Sequence, residues 1–115
     1  MDAKTAEALE ASIEHWREMT QVTKIYDIKI GRRECALCEL FNTETILPSY
    51  RCLPCPVYRK TGQEYCEGTP FERASDISMG IRLYYHLPGL RLMALLKFRM
   101  AAREELAFLE GLRDD

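Results

Sequence analysis

Residues 35–72 read CALCELFNTETILPSYRCLPCPVYRKTGQEYCEGTPFE, and this stretch decides how the rest of the chain is organised. Cys35-Ala-Leu-Cys38 is followed after thirteen residues by Cys52-Leu-Pro-Cys55, and after ten more by Cys66. All five cysteines of the 115-residue chain therefore fall here, with four of its five prolines (Pro48, Pro54, Pro56, Pro70). That is too much punctuation for long regular elements, so something other than a hydrophobic core must order the segment. Two Cys-x-x-Cys pairs joined by a loop meet the demand of a tetrahedral zinc ion, because each pair grips one edge of the metal with sulfurs at about 2.3 Å. The expectation is one structural Zn2+ held by four of Cys35, Cys38, Cys52, Cys55 and Cys66. The fifth thiol is spare, or replaces Cys52 or Cys55. Four thiolates close the coordination sphere, whereas catalytic zinc keeps a position open for water. Apparent zinc affinities of about 10–16 kcal/mol rival the stability of a whole small domain, enough to fold a Pro-rich loop.

The basic residues Lys29, Arg32, Arg33, Arg51, Arg59 and Lys60 surround this stretch in sequence. A zinc ion with four thiolates carries a net charge of about −2, so part of this basic excess is expected to balance it and to donate hydrogen bonds around it, the rest lying on the surface. Two rival readings exist. Inert buried cysteines would not crowd together among prolines and charges. A dithiol redox role for either Cys-x-x-Cys asks for a βαβ context and an accessible thiol at a helix start, and no such pattern surrounds them.

Working toward the N-terminus, Ala6, Leu9, Ile13 and Trp16 recur at steps of three and four, predicting an amphipathic helix over 3–22 with an acidic outer face of Glu7, Glu10, Glu14 and Glu18. Tyr26, Ile28 and Ile30 alternate with Asp27 and Lys29, predicting a short extended segment ended by Gly31. Toward the C-terminus, Thr69-Pro70-Phe71-Glu72 spells a capping box with Pro at the first helical position. A helix is predicted from Pro70 to about Tyr85, burying Ala74, Ile77, Ile81 and Tyr84 or Tyr85, with His86-Leu87-Pro88-Gly89 as the break. A last helix over Leu90–Leu112 should bury Leu92, Leu95, Leu96, Ala102, Leu106 and Leu109, widened by Phe98, Ala101, Phe108 and Leu112. The predicted fold is mainly α and a single domain of residues 1–115: an N-terminal helix (3–22) and a C-terminal helical pair (70–112), with a zinc-stabilised loop module (31–69) inserted between them.

A composition of 47% hydrophobic and 30% charged residues is ordinary for a globular chain, and a net charge of −2 selects no partner by itself. The start MDAKTAEALE lacks the basic and apolar regions of a signal peptide, no run of 18 apolar residues occurs, and an odd number of cysteines cannot pair fully in one chain. The expectation is a cytoplasmic protein without a membrane partner. Locally, residues 73–103 carry +5 while 1–23 carry −3 and 104–115 carry −4. Arg82, Arg91, Lys97 and Arg99, interleaved with Tyr84, Tyr85 and Phe98, are candidate nucleic-acid contacts, weighed against a solvated helix face and the repulsive acidic ends. Phosphate-binding glycine loops, the His-x-Glu…Pro-Cys-x-x-Cys set of zinc deaminases and His-Glu-x-x-His are all missing from the sequence. His15 reads as a solvated helix residue. His86 reads as a helix C-terminal contact, or less simply as a substitute zinc ligand. No enzymatic role is expected.

The order Ile28-Lys29-Ile30-Gly31, Cys35-Ala-Leu-Cys38, Cys52-x-x-Cys55-Pro56-Val57-Tyr58, Thr61-Gly62, Cys66 and Thr69-Pro70-Phe71-Glu72 resembles a set of small bacteriophage- and prophage-encoded proteins read as zinc binders. The likeness covers roughly residues 5–110. Phe71 stands where Tyr is usual, and the loop between Cys38 and Cys52 is longer. The resemblance implies a phage origin and action in the bacterial host cytoplasm. The favoured expectation is a non-enzymatic adaptor or host-modulating protein that binds a bacterial or phage protein. The alternatives are a nucleic-acid-binding zinc protein and, third, a dithiol redox protein.

Overall fold

The computed structural model describes residues 1–31, 34–42, 45–63, 66–84 and 86–114, without the side chains of Arg82, Tyr84 and Asp114. Arg32, Arg33 and Tyr85, and the side chains of Arg82 and Tyr84, thus lie outside the described residues. The fold is mainly α, and no strand occurs among the described residues. Five helices follow in order: α1 (Ala3–Met19), α2 (Ala36–Phe41), α3 (Pro56–Thr61), α4 (Pro70–Tyr84) and α5 (Pro88–Gly111), with short 3-10 turns at Ile25–Asp27, Pro48–Tyr50 and Leu112–Asp114.

Each helix starts for a chemical reason. The Asp2 carboxylate accepts the Thr5 N–H at 2.8 Å and caps α1. Proline opens α3, α4 and α5, where the missing N–H costs nothing. Gly62 ends α3 in the left-handed region at φ 72°, its N–H bonded to the Tyr58 carbonyl. The capping box at α4 forms with a shift. The Thr69 hydroxyl accepts the Phe71 N–H at 3.3 Å, but Glu72 reaches back to the Gly68 N–H at 3.1 Å.

The long helix α5 packs against both α1 and α4, and α1 also covers α2. Leu9, Ile13 and Trp16 from α1 meet Phe98, Ala101, Ala102 and Leu109 from α5 and Ala74 and Ile81 from α4, all buried. The Trp16 ring stands edge-on to Phe71 at 6.1 Å and tilted against Phe98 at 6.5 Å, joining three helices at one point.

Two expectations are corrected. Residues 26–30 do not form a strand: Ile25–Asp27 turn as a 3-10 helix, and the backbone beyond is satisfied by α1 side chains, the Lys29 N–H by Met19 Sδ and the Lys29 carbonyl by His15. Leu92 and Leu96 are exposed, at 57% and 48%, not buried. On a helix advancing about 100° per residue, Leu92, Met93, Leu96 and Met100 share one arc, opposite the arc of Leu95, Phe98, Ala102 and Leu109 that meets the core. The N-terminal half of α5 is apolar on both sides, and among the described residues only one side finds a neighbour.

Candidate metal centre

Helix α1 fixes the first cysteine pair. The buried Ser12 hydroxyl accepts the Leu37 N–H at 3.4 Å and hydrogen-bonds the Cys35 sulfur at 3.7 Å. Cys35 stands at the N-cap of α2 and Cys38 within its first turn, so both thiols face the same way. The second pair is a tight turn: the Cys52 N–H bonds the Phe41 carbonyl at 2.7 Å, and the Cys55 N–H bonds the Cys52 carbonyl at 3.0 Å just before Pro56 starts α3. Cys66 is tied to the start of α4, its carbonyl accepting the Thr69 hydroxyl at 2.6 Å. Cys52 and Cys66 have positive φ, 68° and 63°, a region that costs non-glycine residues free energy and that clusters at functional sites.

These three anchors turn all five cysteines onto one cavity of about 340 Å3, whose apolar wall includes Trp16, Phe41 and Phe71. None of the five is in a disulfide. The thiols feel one another. Hydrogen bonding from Cys38 pulls the Cys35 thiol down, aided by the Cys38 and Leu37 N–H groups and Ser12 and opposed by burial, while the same contact and burial push Cys38 up. Burial pushes Cys55 up to about 11, reinforced by the charges of Cys35 and Cys52. Cys66 is raised by burial first, then by Cys35 and Glu105.

Glu105 is the site residue that the sequence reading missed. It lies in the buried arc of α5 between Ala101 and Leu109, is only 3% exposed and lines the same cavity. Burial lifts its carboxyl to about 7, the charge of Cys35 adds to this, and a hydrogen bond from the Phe71 N–H opposes it. Among the described residues its Oε2 has no partner, and neither does Oδ1 of the buried Asn42, another lining residue. Buried polar atoms are nearly always hydrogen-bonded, so two orphaned acceptors on one wall mark an unmet chemical demand. A carboxylate placed in an apolar stripe was the available sequence signal. His15 also departs from its reading: it is half-buried at the cavity rim and hydrogen-bonded to the Lys29 carbonyl.

Arg51 spends its Nε on the Ile46 carbonyl at 3.0 Å, and Lys29, Arg59 and Lys60 are exposed and do not line the cavity. Of the candidate nucleic-acid contacts, Arg91 and Lys97 are exposed, while Arg99 Nε donates to the Thr20 carbonyl at 3.1 Å. His86 is exposed at the α4–α5 turn.

Five soft thiolate donors and one carboxylate on a single cavity suit a thiophilic d10 ion such as Zn2+. Among the described residues, no three His, Cys, Asp or Glu side chains stand in an arrangement that could hold a metal ion. No helix is long and apolar enough to cross a membrane among the described residues. No family model, curated protein or solved structure matches the chain.

Proposed function

We propose that this chain is a non-enzymatic zinc protein whose metal orders the 31–69 module and whose helical hairpin binds a partner protein. One observation carries the zinc reading: five cysteines spread over 32 residues, on three separately anchored segments, line one cavity, two of them in strained backbone. Chance burial of thiols has no reason to converge in this way. Full-length protein treated with a strong chelator should lose the cooperative unfolding of the 31–69 module, with a drop in Tm that added zinc restores. An unchanged Tm in metal-free protein contradicts it.

The partner reading rests on the α4–α5 hairpin. Residues 86–93 are exposed without interruption, and Met79, Leu83, Leu87, Leu90, Leu92, Met93, Leu96 and Met100 all present apolar side chains to solvent. Monomeric proteins rarely leave so many apolar groups together unless another surface covers them, and methionines adapt to varied partners. Resemblance to phage-encoded proteins puts that partner in the phage or in the host cytoplasm, by analogy alone.

Two further readings each have an observation behind them. Residues 77–103 contain five basic residues and no carboxylate, which favours an anionic partner such as nucleic acid. Against this, the outer arc of α5 carries leucines and methionines, and Arg99 is engaged by Thr20. The lowered Cys35 thiol beside Cys38 favours a dithiol, which would be alkylated rapidly in zinc-loaded protein, whereas a metal-held thiolate reacts slowly.

A further inference from the structure

The geometry points to Glu105 as a ligand of the metal, making the centre a mixed thiolate–carboxylate site and not an all-cysteine one. This rests on the zinc reading above and deepens it. Glu105 is 97% removed from solvent by the standard of its 3% exposure, lies on the one helix that crosses the whole core, and faces the cavity that all five thiols line. Its Oε2 has no hydrogen-bond partner among the described residues. A buried carboxylate oxygen without a partner, on a residue that lines the same cavity as the five cysteines, is suited to act as a monodentate metal ligand.

A zinc ion held by three thiolates and the Glu105 carboxylate carries about −2, the same charge as one held by four thiolates, so the exchange adds no buried charge, and it leaves two of the five cysteines outside the ligand set.

X-ray absorption at the zinc edge of the full-length wild-type protein reads the donor set directly. The expected result is sulfur scatterers at about 2.3 Å with one oxygen at about 2.0–2.2 Å. Glu105→Leu, which fits the apolar arc of α5, should lose that oxygen and bind zinc about tenfold or more weakly. Four sulfurs and no oxygen in the wild type, or an oxygen that persists in Glu105→Leu, overturns the assignment and leaves the zinc reading standing. A wild-type protein that binds no zinc overturns both. The wild-type spectrum decides even if the variant does not fold.

Discussion

Trp16 touches Phe71 of α4 and Phe98 of α5 and also lines the cysteine cavity, so a single indole couples the core to the site. Phe98 behind it is fully buried. Phe98→Ala should cost about 3–5 kcal/mol in urea denaturation of the zinc-loaded protein, with zinc affinity falling as well, because the cavity left behind loosens the wall on which Cys35 and Glu105 are mounted. A loss below about 1 kcal/mol would contradict this packing. Glu105 makes a separate prediction for metal-free protein. Its carboxyl is near 7 when folded against an ordinary 4.5, so the folded chain holds the proton more tightly. Its contribution is full below about pH 4.5 and is lost as the pH rises through about 7. Urea denaturation at pH 5 and pH 8 should show wild type losing more stability across that interval than Glu105→Leu. Equal slopes for the two proteins would show that Glu105 is not buried as described.

Helix α4 shows how a local signal in the sequence becomes part of a site. Thr69-Pro70-Phe71-Glu72 was legible as a helix start, and the structure begins α4 at Pro70. The signal did not reveal that the Thr69 hydroxyl also donates to the Cys66 carbonyl, which makes the cap an anchor for a thiol in strained backbone. Thr69→Ala should therefore cost about 1 kcal/mol of stability, the usual value of a lost cap, and weaken zinc binding in addition. Weakened stability with unchanged zinc affinity would separate the cap from the site. The convergence of the cysteines on one cavity was legible in the same way, because all five fall in one short stretch of sequence. Glu105 was not, since its partners come from α2 and from the start of α4, and periodicity along α5 reports only that it falls in the buried arc. Leu92 and Leu96 show the converse failure. Their spacing fits a buried face, but whether a face is buried depends on how far the neighbouring helices extend. At about 1.5 Å per residue, the 17 residues of α1 cover only part of the 24 residues of α5.

The molecule as a whole has a core around Trp16 and Phe98, a cavity lined by the five cysteines, and a run of apolar side chains exposed along the α4–α5 hairpin. Substituting Leu92, Leu96 and Met100 together by Ser should leave Tm nearly unchanged, since these side chains contribute little to the folded monomer, while abolishing capture of the partner protein. A large fall in Tm would mean that this face is already packed. Nucleic-acid binding, if it occurred, would weaken steeply with salt and would survive that triple substitution. The central claim concerns the cysteine cavity, and native mass spectrometry of full-length protein, purified without chelator or metal-affinity resin, tests it most directly. The account predicts one zinc ion per folded chain; a folded chain of the bare polypeptide mass, unchanged after incubation with zinc, would contradict it.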